Sequence, residues 1–486
     1  MKTHQVQQKT ERRISAALRL VFVAALLLGQ IALAFFLSTE LRQRAAIIYT
    51  VLELAAFGYA VRIYNRTDGT SYKFGWIFLV LTVPVVGLIL YFLWNGDRQQ
   101  KRLDLKKLPM PEEPEAQQAA HRIQMEKLRR KFPQWERLSV YLSRQGYLLY
   151  GDTETKYLPT GEAFLQDMLE KLEQAEHFIF LEFFIIAQGQ IWDRMEEIFR
   201  RKAAEGVEVK ILFDDFGSMM RFPAGQIEAL RESGVEVQIF NPVHHYVNRL
   251  YFNYRDHRKI VCIDGSTAYT GGANVADEYA NLTVRFGYWK DCGIRLDGPG
   301  AWGLTREFLH MWQRNGGQLM QAEDVFLHLI NNARRSVHIT TPYLAIDEPM
   351  RQALCSAGDS GVDVRLLLPG IPDHKFAYLA AQSHYGELLV HRVKIYIYEP
   401  GLLHGKTVLS DGEAAFVGSV NMDYRSFQLH FECGTVLYGV PAIEGLAEDI
   451  QRITDRSRRV TYQEWKSRPW YRKLLSTLLR LFEMWM

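Results

Sequence analysis

Hydrophobic positions run along this chain in two rhythms. Over the first hundred residues they gather in three blocks. Residues 20–39 and 74–94 carry no charge and are about long enough to cross a bilayer, the second with Trp76, Tyr91 and Trp94 placed as interfacial anchors. Residues 45–61 are shorter and include Glu53, which makes them either a third span or a helix lying against the others. Charge then dominates residues 98–137, where Pro109, Pro111 and Pro114 mark a linker followed by a polar helix along the membrane surface or in solvent.

Beyond that point helical and strand periodicities alternate, the signature of α/β layers. The pattern predicts helices over 161–176 and 191–205 and strands over 177–186 and 207–214. It then repeats, with helices over 324–336 and 348–361 and strands over 337–343 and 362–369. Gly206-Val207 and Gly361-Val362 stand at equivalent points of the two passes. The last stretch places Trp470, Leu474, Leu478 and Trp485 at helical spacing among Arg and Lys, a basic amphipathic helix suited to a membrane interface or to packing on the enzyme body.

The duplication is sharpest in the residues that carry chemistry. His257-Arg-Lys259 leads to Asp264-Gly265 and Asn274, and His404-Gly-Lys406 leads at the same offsets to Asp411-Gly412 and Asn421. Two positions apart on a strand, His and Lys share a face about 6–7 Å apart, so an imidazole and a fixed cation can address one phosphate. The motif Asp lies roughly 23 Å further along an extended strand and cannot touch its own His. Asp264-Gly265 and Asp411-Gly412 read instead as hairpin turns. The carboxylates that orient the imidazoles must come from elsewhere, and position downstream assigns Asp291 to His257 and Glu432 to His404.

The twin H-x-K-x4-D motifs resemble the phospholipase D superfamily. Three runs, residues 253–259, Thr341-Pro342-Tyr343 and residues 421–426, look like its bacterial cardiolipin synthases. The resemblance implies two α/β sandwich halves forming one pseudo-twofold catalytic unit behind an N-terminal transmembrane helical anchor. It implies an anchor over 1–97, a linker over 98–137, halves over 138–316 and 317–460, and the amphipathic helix over 461–486. It also implies a catalytic set of His257, Lys259, Asp264, His404, Lys406 and Asp411. Substrate-binding or orienting roles fall to Asn274, Asn421, Ser419, Asp291, Glu432, Glu182 and Tyr343. Glu182, among aromatics on a buried strand, is either near the site or in a buried salt bridge, and Tyr343 either faces a phosphate or is a core aromatic. One departure stands out: between Trp312 and Asp324 lies only a short Gly-Gly-containing stretch where the resemblance implies a longer segment with a strand, so either the connection is trimmed or an edge strand is missing.

The implied reaction is phosphatidyl transfer between two phosphatidylglycerol molecules through a phosphohistidine, with no metal and no cofactor. His257 is the nucleophile by resemblance. Hydrolysis by the same machinery, or another phosphatidyl transfer at the membrane, is the alternative. A net charge of +3 argues against a nucleic-acid binder. Four cysteines without C-x-x-C spacing indicate neither a zinc site nor a disulfide framework, and Cys262, Cys292 and Cys433 are expected as small buried hydrophobes. Lys and Arg counts on the two sides of three spans nearly balance. The dense basic segment after residue 97 then places the catalytic part of a multi-pass cell-membrane protein on the cytoplasmic face.

Overall fold

The structure, a computed structural model, describes residues 29, 42–66, 70–94, 114–242, 254–314, 322–480 and 482–483. Apart from Gly29, the expected span 20–39 lies outside the described residues, as do 98–113 of the linker. The chain divides into two units, Met1–Leu103 with Pro242–Tyr254, and Asp104–Asn241 with Arg255–Met486.

In the first unit, α1 (Arg42–Tyr64) contains Ile47–Tyr64, which is long and apolar enough to cross a membrane. The block 74–94, expected as a single span, is instead two helices, α2 (Thr70–Thr82) and α3 (Pro84–Trp94). Pro84 has no N–H to continue the ladder, and α3 folds back on α2. The rings of Trp76 and Tyr91 lie 5.5 Å apart, far closer than one straight helix would allow. A Cβ at Gly87 would come within 2.5 Å of the Leu79 carbonyl oxygen, so the bare glycine is what permits the approach. Neither helix alone has the roughly 20 residues a crossing needs.

The second unit starts with α4 (Glu115–Lys131) and α5 (Glu136–Arg144), within and just beyond the stretch expected as linker. Trp135 and Leu138 from this region are fully buried in the second-half core.

The first half then runs β1 (Glu154–Leu158), α6 (Gly161–Leu172), β2 (Phe178–Phe183), α7 (Gln190–Ala204), β3 (Glu208–Asp214), β4 (Glu236–Phe240), β5 (Arg255–Asp256), β6 (Lys259–Ile263), β7 (Thr267–Gly271), β8 (Tyr288–Lys290), β9 (Gly293–Asp297) and α8 (Ala301–Arg314). The second runs α9 (Ala322–Asn331), β10 (Ser336–Thr340), β11 (Leu344–Ala345), α10 (Glu348–Asp359), β12 (Asp363–Pro369), α11 (Lys375–Ala381), β13 (Lys394–Tyr398), β14 (Gly401–Leu403), β15 (Thr407–Ser410), β16 (Ala414–Gly418), β17 (Met422–Asp423), β18 (His430–Phe431), β19 (Gly434–Tyr438), α12 (Ala442–Asp455) and β20 (Ser457–Arg459), and α13 (Trp470–Arg480) follows.

Each half builds a seven-stranded sheet, in the orders β1-β9-β7-β6-β2-β3-β4 and β19-β16-β15-β10-β12-β13-β20. Six strands correspond one to one. Among the described residues β1 has no counterpart beside β19, and β20 is added at the opposite edge beside β13; residues 315–321, where the sequence departs from the family, lie outside the described residues. Each sheet has its own core, one around Phe164, Leu181 and Trp192, the other around Phe326, Ile339 and Leu366. Gly206 and Gly361 both take positive φ where α7 and α10 end, the conformation glycine adopts most readily after a helix.

Candidate active site

Both motif aspartates are architectural. Asp264 and Asp411 take positive φ at the β6–β7 and β15–β16 turns, each followed by a positive-φ glycine. The Asp264 carboxylate accepts the backbone N–H groups of Glu176, His177 and Phe178 at 2.7–2.9 Å, which pins the start of β2. Asp411 accepts those of Arg334, Arg335 and Ser336 at 2.7–2.9 Å and pins β10 in the same way. Both carboxylates act on the backbone at the turns where the sequence places them, and not on the imidazoles, although the resemblance groups them with the catalytic set.

Short parallel strand pairs join the halves, β5 with β18 and β8 with β14. The His257 N–H donates to the Phe431 carbonyl at 2.9 Å, and the His404 N–H to that of Lys290 at 2.7 Å. Each histidine is thus tied to the strand of the other half that leads into a buried carboxylate. His257 Nδ1 lies 2.9 and 3.0 Å from the Glu432 oxygens, and His404 Nδ1 lies 2.7 Å from Asp291 Oδ2. The carboxylate assignment made along the chain is reversed: the partners are exchanged between halves, because these inter-half strands set proximity where sequence distance does not.

The carboxylates are held differently. Asp291 accepts the Cys292 N–H at 2.9 Å and the Trp289 indole N–H at 3.3 Å, while a Cβ on Gly272 would come within 2.2 Å of Asp291 Oδ1. At the matching position of the second half stands Ser419, whose hydroxyl donates to Glu432 and accepts the Cys433 N–H at 3.1 Å. Glycine makes room for the shorter carboxylate, and serine reaches the longer one.

Lys406 Nζ stands 2.8 and 3.1 Å from the two ring nitrogens of His404, and both motif lysines donate to the carbonyl of their own histidine. Phe184 meets His257 edge-on at 5.0 Å between centroids, and Trp289 and Tyr279 flank His404 at 5.3 and 5.6 Å. Burial, then the charges of Lys259 and Lys406, holds His257 well below the usual histidine range. Burial and Lys406 also lower His404, but Asp291 opposes them. Burial lifts the Asp291 carboxyl, yet His404 and Lys406 bring it down to about 2, whereas burial pushes Glu432 up to about 7 against the pull of Lys259. Burial also brings Lys259 down to about 7, with Glu432 opposing. Of the two imidazoles, His404 is the better placed to hold a second proton.

The remaining expected residues divide. Asn274 is engaged by the scaffold, accepting the Ile185 N–H at 3.0 Å and donating to the Tyr279 hydroxyl at 2.8 Å. Asn421 is buried, and its side-chain oxygen has no hydrogen-bond partner among the described residues. Glu182 is fully buried 3.8 Å from Arg258, which also pairs with Glu307 at 3.0 Å, and burial raises its carboxyl well above the usual range. The Tyr343 hydroxyl donates to Asp373 Oδ2 at 2.5 Å. Asp373, whose charge acts on both His404 and Lys406, was missed in the sequence because it belongs to no motif. His430 was missed as well; its ring centroid is 5.5 Å from that of His257. Ligand atoms of His257, His430 and Glu432 fall within 4.8 Å of one another, but Lys259 and Arg425 lie close and favour an anion there over a cation. All four cysteines are buried and free.

The geometry offers two cross-strapped imidazoles and two lysines in one cationic, largely dry site. A family model described as cardiolipin synthase, phospholipase D-like domain, matches residues 168–284 and 326–454, one segment in each half. The chain belongs to the bacterial cardiolipin synthase family of the phospholipase D superfamily. A second model, phospholipase D-nuclease N-terminal, matches residues 54–95. Among curated relatives, cardiolipin synthase 2 of Bacillus anthracis is 31% identical over 88% of this chain and 89% of its own length. The major cardiolipin synthase of Bacillus subtilis is 30% identical over 86% and 94%. A phosphatidylserine synthase structure from Haemophilus influenzae shares the fold, with a TM-score of 0.54 at 14% identity over 68% of this chain and 95% of that one. Family membership makes this a phosphatidyltransferase of phospholipase D type with a phospholipid substrate, and the family match together with α1 makes it a membrane protein.

Proposed function

We propose that the enzyme makes cardiolipin from two phosphatidylglycerol molecules. Neutral His257, its Nδ1–H held by Glu432, attacks phosphorus through Nε2, and His404, which relies on the Asp291 carboxylate to take up a proton against burial and Lys406, protonates the departing glycerol. The P–O bond to glycerol breaks as the P–N bond forms. His404, now neutral, takes the proton from a hydroxyl of the second phosphatidylglycerol, whose oxygen displaces His257 and completes the product. Lys259 and Lys406 hold the non-bridging oxygens, where charge grows in the transition state.

The observation that carries this reading is the exchange of carboxylates between halves together with their unequal acidity, which suits one imidazole to attack and the other to donate. Labelled phosphatidylglycerol tests it. The expected products are glycerol and cardiolipin, lost in His257→Ala and His404→Ala. Phosphatidic acid would establish a hydrolase instead, and absence of turnover would overturn both.

The anchor is multi-pass with the catalytic unit on the cytoplasmic side. If residues 20–39 and the Ile47–Tyr64 part of α1 cross and the α2–α3 hairpin does not, only Arg42 and Arg44 lie between the spans. Lys2, Lys9, Arg12, Arg13 and Arg19, together with Arg66 and Lys73, then fall on the other side. Reporter fusions at residues 41 and 100 would give opposite locations; the same location for both would refute this topology.

A further inference from the structure

A cavity of about 360 Å³, at the small end of the range of roughly 300–1,000 Å³ typical of ligand pockets, lies between α4, α5, residues 147–153, α8 and β19. It exists because the second sheet lacks a partner for its last strand: among the described residues β19 pairs only with β16. Its walls are largely apolar, with Leu128, Leu149, Leu304 and Val436 among them. The exceptions include four buried oxygens without a hydrogen-bond partner among the described residues, Ser139 Oγ, Thr155 Oγ1, Glu307 Oε1 and Tyr438 Oη. Lys127 and Lys131, one turn apart on α4, also line it while remaining exposed to solvent. Among the described residues neither has a carboxylate partner, since the neighbouring Glu126 engages Arg129 and Arg130.

The cavity backs onto the catalytic strand. Arg258, between His257 and Lys259, pairs with Glu307 of the cavity wall at 3.0 Å and donates to the Glu432 carbonyl at 3.3 Å. β19 begins two residues after Glu432.

We propose that this cavity binds one acyl chain of an anionic phospholipid that is not the reacting one, the chain lying against β19 and the phosphate held at the mouth by Lys127 and Lys131. An apolar interior with a pair of uncompensated cations at its rim complements such an amphiphile and no neutral lipid equally well. The occupant would bear on the wall that carries the His257–Glu432 pair. This assignment does not depend on the phosphatidyl-transfer reading, since it rests on the cavity's own lining, of which Glu432 is a part.

Full-length protein in detergent micelles, irradiated with phosphatidic acid carrying a diazirine in one acyl chain, provides the test, with labelled peptides mapped by mass spectrometry. Label is expected within 147–155 and 434–440. It should fall about fivefold or more in the Lys127→Glu/Lys131→Glu double variant and in Val436→Trp, and stay unchanged in His404→Ala, whether or not the protein turns over phosphatidylglycerol. Label confined to the N-terminal helices or α13, label undiminished by the lysine reversals, or equal labelling by the phosphatidylcholine analogue would overturn the proposal.

Discussion

Glu432 holds Nδ1 of His257 at 2.9 Å across 175 positions of sequence, and it does so from the opposite half of the molecule. The reciprocal bond from Asp291 to His404 makes each imidazole depend on a side chain that its own repeat does not supply. Removing that acceptor while keeping its shape should leave the fold intact and disturb the tautomer. Asp291→Asn and Glu432→Gln are each expected to lower turnover by about 10²–10⁴-fold, by analogy with the loss of an orienting carboxylate in other His-based sites. A rate within twofold of wild type in either would show that the strap is dispensable.

The two histidines separate when the leaving group needs no proton. With a p-nitrophenyl ester of phosphatidic acid, His404→Ala should still release one equivalent of nitrophenolate and accumulate a phosphohistidine, while His257→Ala should release none. The reverse pattern would exchange the roles.

Gly272 and Ser419 occupy equivalent places with opposite demands. Gly272→Ala drives a methyl group into Asp291 and should cut activity by about tenfold or more, with little loss of folded protein. Ser419→Ala removes a donor from Glu432 and is expected to cost roughly 1–3 kcal/mol of stability. Thermal melts beside rate measurements distinguish the two.

Turnover should fall as pH rises through about 7, because Lys259, lowered by burial, loses its charge there. Lys259→Arg keeps the charge and should flatten that limb even where the rate is reduced. Stability has its own signature. Glu432 is raised in the folded state from 4.5 to about 7, so its contribution is fully present below about 4.5 and lost as pH rises through about 7. Glu432→Gln should remove that slope from the melting temperature, and an unchanged slope would place the titration elsewhere.

Asp264→Ala strips three backbone N–H groups of their acceptor. It should destabilise the protein by about 2–4 kcal/mol while the remaining folded molecules keep their turnover. Loss of activity without loss of stability would restore a chemical role to that carboxylate.

Much of this was legible in the sequence. The repeated His-Lys spacing, the Asp-Gly turns and the Gly-Val junctions each follow from local periodicity and φ preference, and the helices and strands around 161–214 and 322–369 stand within a few residues of expectation. The exchanged carboxylates were hidden because they depend on β5–β18 and β8–β14, pairings of two and three residues between distant segments. Local pattern carries no information on such contacts. The bend at Pro84 was in plain view, but a count of apolar residues cannot tell one crossing from a hairpin.

β20 contributes only Ser457, Arg458 and Arg459 to the second sheet, yet those residues cover the backbone edge of β13. A protease nick just after Asp455 would therefore do more than shed the C-terminal tail. It would bare a strand rim of Ile395 and Ile397 to neighbouring molecules, and the clipped protein would be prone to self-association through that rim.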